Sequence, residues 1–224
     1  MSSDRERWDA RHAEQSGQAP RTADPFVRGV LAELGPGANR RALDLASGTG
    51  RHALLMAQLG WRVEAWDVSP VALGIVRERA EAQHLSVGTR VADLTELPRG
   101  TPAASLVVVV DFLDRDLLAR LPELLAPGGA ALLSTFTEDW PGSHPSPRFR
   151  LKKSELTLLL PGLERVRASR TPSRPRSRLR MAILTRRGTG PWVASQMASA
   201  STALSRLRTL RTPLRNSVEL IWAR

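Results

Sequence analysis

The 224-residue chain contains no cysteine, which excludes a disulfide, a thiolate nucleophile and a cysteine-held metal. Lysine is nearly missing too: Lys152 and Lys153 are the only two, so arginine carries almost all of the positive charge. No apolar run approaches the ~20 residues needed to cross a bilayer. The opening MSSDRERWDARHAEQ is charged and lacks the apolar segment of a secretory leader, so a cytoplasmic protein is the default expectation. The four histidines, His12, His52, His84 and His144, are scattered along the chain. Neither a metal site nor an acid–base pair stands out among them, no internal repeat is visible, and nothing implies an oligomeric state. What is present suffices for one sizeable core.

Charge is distributed unevenly. Residues 1–163 hold 19 Lys and Arg against 20 Asp and Glu, whereas residues 164–224 hold 14 Arg against 2 Glu, so the overall +11 belongs to the C-terminal quarter. A basic stretch can be a nucleic-acid footprint. Yet no aromatic residues are interleaved with these arginines, no Asn-Pro-Pro-aromatic motif occurs, and coding bias alone produces arginine enrichment.

The richest stretch is ALDLASGTGRHALLMAQLGWRVEAWDVSP, Ala42–Pro70. It reads as a short apolar strand ending at Leu43 and Leu45, a glycine turn at Gly48-Thr49-Gly50, and a helix over Arg51–Gly60 with Leu54, Leu55 and Leu59 on one face. A second strand over Arg62–Trp66 ends at Asp67. Glycines let backbone approach a ligand closely, and the amides of a helix start add partial positive charge. A carboxylate at the next strand tip can take both hydroxyls of a ribose. The unit is a nucleoside-binding βαβ. Gly48-x-Gly50-x-x-Ala53 followed by Asp67 also fits the dinucleotide fingerprint. Against a pyrophosphate stands Asp44, an acid four residues before the turn that would repel phosphate and suits an ammonium. About 40 residues also precede the first strand. S-adenosylmethionine has a ribose, an adenine, a sulfonium and an amino acid but no phosphate, and fits better than NAD.

On these residues the chain resembles class I S-adenosylmethionine-dependent methyltransferases, and within them the tellurite-resistance and thiopurine methyltransferase group. The resemblance spans roughly residues 5–187. It rests on Trp8-Asp9-Ala10-Arg11-His12, LDLASGTGRHA at Leu43–Ala53, AWDVSP at Ala65–Pro70, Ala92-Asp93-Leu94, Leu118–Phe136 and a proline-rich loop running to Phe149. Ser47 stands where the group often has Cys, and His12 where it often has Tyr. The resemblance implies an α/β, Rossmann-like, seven-stranded, mostly parallel sheet with helices on both faces and a C-terminal antiparallel hairpin. It implies adenine contacts at Asp93 and Leu94; Trp8 and Arg11 belong either to a lid over the cofactor or, for Trp8, to packing on the core.

Three regions are expected: an N-terminal helical cap (1–39), the cofactor-binding domain (40–187) and a basic extension (188–224). Helices are expected near Asp4–Gln15, Pro25–Leu34, Pro70–Gln83, Asp114–Leu125 and Lys153–Leu160. Strands are expected at Val87–Ala92, Leu106–Val110 and Ala130–Phe136, with Pro127-Gly128-Gly129 ending the helix before the last of these. Arg165–Arg170 and the alternation of Leu179, Met181 and Ile183 give the edge hairpin, with Thr171–Ser177 as its loop. In the extension, Leu204, Leu207, Leu210 and Leu214 share a rough helical face with arginines between them, a pattern that can sit on a membrane or nucleic acid. Pro213 interrupts it, and a Ser-, Thr- and Arg-rich tail reads as disordered or loosely packed.

The expected cofactor contacts are Asp44, Ala46, Ser47, Gly48, Gly50, Asp67, Val68, Asp93, Leu94 and Asp111. Arg11, His52, Phe112 and Arg115 are candidate substrate contacts, and no catalytic residue is assigned. Methyl transfer to a soft acceptor such as a thiol or chalcogen oxyanion needs little base catalysis, so proximity and desolvation supply most of the rate. The expected activity is methyl transfer to a small molecule. The alternatives are an RNA methyltransferase using the basic quarter and an NAD-dependent oxidoreductase.

Overall fold

A computed structural model describes residues 2–97, 100–140, 142–152, 155, 163–173 and 178–187. Five parallel strands form the heart of the sheet. They are β1 (Arg41–Leu45), β2 (Arg62–Asp67), β3 (Val87–Val91), β4 (Ala104–Val110) and β5 (Leu125–Phe136), in the order β3-β2-β1-β4-β5. Past β5, backbone at Leu163–Ser173 and Arg178–Arg187 is extended and pairs antiparallel, the second stretch lying against β5.

Period-2 alternation sends each strand's side chains to two separate cores. Leu43, Leu45, Val107, Val109, Ala131 and Leu133 face α5 (Arg115–Leu124), where Leu117, Leu121 and Leu124 meet them. Ala42, Val63, Ala65, Leu106, Val108 and Leu132 face the other way. That side is covered by α2 (Pro25–Leu34), α3 (Arg51–Gln58) and α4 (Pro70–Ala82). Burial on both faces explains why β4 reads as an unbroken apolar run.

Local signals set the helix starts. Asp24 accepts the amide of Phe26 at the head of α2, and Ser69 accepts that of Ala72 at the head of α4. Both helices place Pro at their first position, where no amide donor is needed. Asp114 caps α5 through Leu117 N–H at 2.7 Å. Helix α1 (Ser2–Ala13) packs on α4, tied by the Ser69 hydroxyl donating to Asp9 Oδ1.

Three details differ from the sequence reading. In α3 the buried residues are His52, Ala53, Leu54 and Met56, while Leu55 and Leu59 are only partly covered; α2 and α4 flank this helix and turn its inner face toward Met56. The α5 helix ends at Leu124, and Leu125 already pairs with Ala104, so β5 begins before the Pro-Gly-Gly. Pairing resumes at Leu106 with Ala130; the intervening residues bulge out, with Gly128 at φ 75° absorbing the bend. The expected helix at 153–160 and the extension from residue 188 lie outside the described residues. No helix among those described is long and apolar enough to cross a membrane.

Candidate functional site

The carboxyl ends of β1, β2 and β4 converge on the glycine turn. In open α/β sheets the crevice beyond these ends is where ligands bind. The turn has alternating left-handed residues: Ala46 at φ 53°, Gly48 at 52° and Gly50 at 79°. Gly50 N–H donates to Ser47 O at 3.0 Å, closing the turn. A side chain at Gly50 would come within 2.7 Å of Val76 on α4, so close helix packing demands glycine there. Ala46 holds this conformation without glycine's freedom, a local strain of the kind found at binding sites.

Two carboxylates shape the turn. Asp67 is buried at the tip of β2; its Oδ2 accepts Gly48 N–H at 2.8 Å and its Oδ1 accepts Ser69 N–H at 2.9 Å. Each oxygen retains lone pairs for a further donor. Asp44 is 1% exposed, and its Oδ2 accepts Ala53 N–H at 2.9 Å from the first turn of α3. Burial pushes its carboxyl up to about 7, opposed by the Ala53 hydrogen bond and the Arg51 charge and reinforced slightly by Asp67. A buried acid titrating near neutrality is a functional-site signature. At the tip of β4, Asp111 has φ 63° and pairs with Arg51 at 2.9 Å, bridging the strand end to the start of α3.

Two polar atoms here are buried without a partner: Ser47 Oγ and His12 Nδ1. His12 stacks on Trp8, with ring centroids 5.7 Å apart, and its Cε1 lies 3.5 Å from where a Gly48 side chain would begin. Sequence reasoning named His12 in the Trp8–His12 motif but assigned it no contact; the i, i+4 spacing of Trp8 and His12 on α1 was the signal that marks them as neighbours on one face.

The remaining candidates are placed as follows. Val68 is half-buried next to Asp67. Asp93 caps a short 3₁₀ turn, its Oδ1 accepting from Thr95 N–H at 3.0 Å and from the Thr95 hydroxyl, while Leu94 is buried in the core facing α5. Phe112 packs partly buried on the same core. Arg11 is exposed, with its guanidinium 5.2 Å from the Trp8 ring centre. His52 is buried, and its Nε2 accepts the Asp24 amide at 3.2 Å, joining α3 to the cap of α2. Arg115 pairs with Glu155 and donates to the carbonyls of Arg148 and Arg150, which anchors the loop after β5. No cluster of metal-binding side chains occurs among the described residues.

Residues 42–129 match the methyltransferase-domain family. Over 106 residues the chain is 37% identical to the demethylmenaquinone methyltransferase of Thermus thermophilus, covering 44% of this chain and 48% of that protein. The chain spans about half the length of the curated relatives it matches. Magnesium protoporphyrin IX methyltransferase of Synechocystis PCC 6803, solved with bound SAH, has the same fold. It superposes with a TM-score of 0.65 at 16% identity, covering 84% of this chain and 99% of that one. TehB of Haemophilus influenzae superposes with a TM-score of 0.62 at 18% identity, covering 80% and 67%. The matched segment runs from β1 to the bulge of β5 and includes Asp44, the glycine turn, Asp67 and Asp111.

Proposed function

We propose that the protein transfers a methyl group from S-adenosylmethionine to a small-molecule acceptor, a soft nucleophile such as a thiol or chalcogen oxyanion. The observation that carries this reading is the pairing of two differently tuned acids at one glycine turn. Asp67 accepts two backbone amides and keeps lone pairs for a ribose diol. Asp44 is buried and half-protonated near neutrality, so an ammonium beside it would be drawn in and would hold it ionised. A pyrophosphate beside that acid would be repelled, which weakens the dinucleotide reading.

The residues present suit this methyl donor. Ser47 Oγ and His12 Nδ1 are buried and unpartnered next to Gly48, where a ligand can complete them. Ala46, Gly48, Gly50 and Val68 supply backbone along the turn, and Asp93, Leu94 and Asp111 ring the crevice from β3 and β4. The bound donor supplies a methyl group on a positively charged sulfur. The chain's part is to hold the nucleoside and amino-acid ends, exclude water and orient the acceptor. At the mouth, Asp111 is held by Arg51, and Arg115 by Glu155. This arrangement positions groups rather than shuttling protons, which favours an acceptor that needs no strong base.

The wider architecture follows the same reading. The sheet extends to seven strands through the antiparallel stretches beside β5, residues 1–39 form a cap, and the kinship lies with the tellurite-resistance and thiopurine group. An RNA acceptor bound by the basic residues after 163 is the second possibility, and salt-sensitive RNA binding lost on truncation at Thr189 would favour it. The decisive experiment is calorimetric titration of the full chain with S-adenosylmethionine and S-adenosylhomocysteine, alongside Asp67→Ala. Micromolar binding lost in the variant supports the reading. Absence of binding by folded parent protein overturns it.

A further inference from the structure

We propose that His12 hydrogen-bonds the ribose end of the bound nucleoside through Nδ1, with Ser47 Oγ beside it, so that helix α1 is part of the binding site. The inference rests on the methyl-donor reading above. It starts from a cost that folding alone does not explain. The His12 side chain is 93% removed from solvent by its 7% exposure, and Nδ1 has no partner. An unpaired buried imidazole nitrogen is unfavourable unless something arrives to satisfy it.

The position of the ring narrows what arrives. Cε1, the carbon bonded to Nδ1, rests over Gly48, whose amide is held by Asp67. The orphan nitrogen is therefore one bond from an atom touching the turn that presents the ribose-binding acid. Ser47, the second buried orphan, adjoins Gly48 in the chain. Both orphans thus belong to the Gly48 turn, whose amide Asp67 accepts, and a ribose diol has hydroxyls that can partner them.

Helix α1 is held in this place by contacts far apart in sequence. The Ser69 hydroxyl donates to Asp9 Oδ1, and Arg79 donates to Thr49 O at 3.1 Å and to Gln18 O at 3.2 Å. The first of these fixes α1 to the start of α4; the second pins both the turn and the segment following α1.

The charges facing His12 are Asp9 and Arg11 on α1, Arg21 on the connecting segment and Asp67 on β2. Burial lowers its basicity, with Asp67 opposing.

The test is calorimetry of the full chain with two probes at pH 8. S-adenosylhomocysteine reports on the whole ligand. Methylthioadenosine lacks the amino-acid group and reports on the nucleoside end alone. His12→Phe keeps the stack on Trp8 and should lose about tenfold in affinity for both probes at pH 8. His12→Asn, which offers a polar atom near the Nδ1 position, should recover much of that loss and carries the test if the Phe variant folds poorly. Equal affinity in parent and both variants overturns the inference. No binding by folded parent protein overturns instead the functional reading beneath it.

Discussion

Asp44→Asn should stabilise the protein at pH 8 relative to its effect at pH 4. In the unfolded chain this acid ionises near 3.8, and in the folded chain near 7, because burial disfavours the charge. Between those values the folded chain retains a proton that the unfolded chain has released. Stability therefore falls as pH rises through that window. The cost is absent below about pH 3.8 and complete above about pH 7. A shift of about three units corresponds to about 4 kcal/mol at most. Asparagine carries no charge and can still accept the Ala53 amide, so the variant escapes the pH-dependent part. The stability difference, variant minus parent, should grow by a few kcal/mol from pH 4 to pH 8. Urea unfolding followed by tryptophan fluorescence at five pH values measures it. A difference that stays constant across the range would refute the burial argument. The same substitution should weaken S-adenosylhomocysteine while leaving methylthioadenosine nearly unchanged, since only the former carries an ammonium.

Two further substitutions probe the frame around the site. Gly50→Ala should cost about 2–4 kcal/mol, the sum of a left-handed backbone penalty and overpacking against Val76. Gly48→Ala, with the same sign of φ but only ordinary contact to His12, should cost less; equal thermal shifts in the two variants would argue against the packing account. Ser69→Ala removes both the α4 cap and the partner of Asp9, and should lower stability by about 1–2 kcal/mol. It should also speed proteolysis between α1 and α2, and an unchanged cleavage rate would show that this contact does not hold α1 down.

The sequence by itself determined the strand–turn–helix–strand unit from Arg41 to Asp67. Its signals are local: period-2 apolar residues, two glycines at a turn, 3.6-period apolar residues, and an acid at a strand end. Cap residues Asp24, Ser69 and Asp114 went unread, although a cap acts within three residues of itself. The sheet order, the bulge in β5 and the inward face of α3 came only from tertiary structure, since each depends on what packs opposite. The same holds at the site. Asp44 was visible as an acid near a turn, but its elevated pKa comes from α3 covering it. His12 was visible as the end of the Trp8–His12 motif, with no contact assigned, and its burial against Gly48 depends on α1 meeting α4 through Asp9 and Ser69, 60 residues apart. Such contacts leave no periodic trace, because they join surfaces whose neighbours the chain chooses only when it folds.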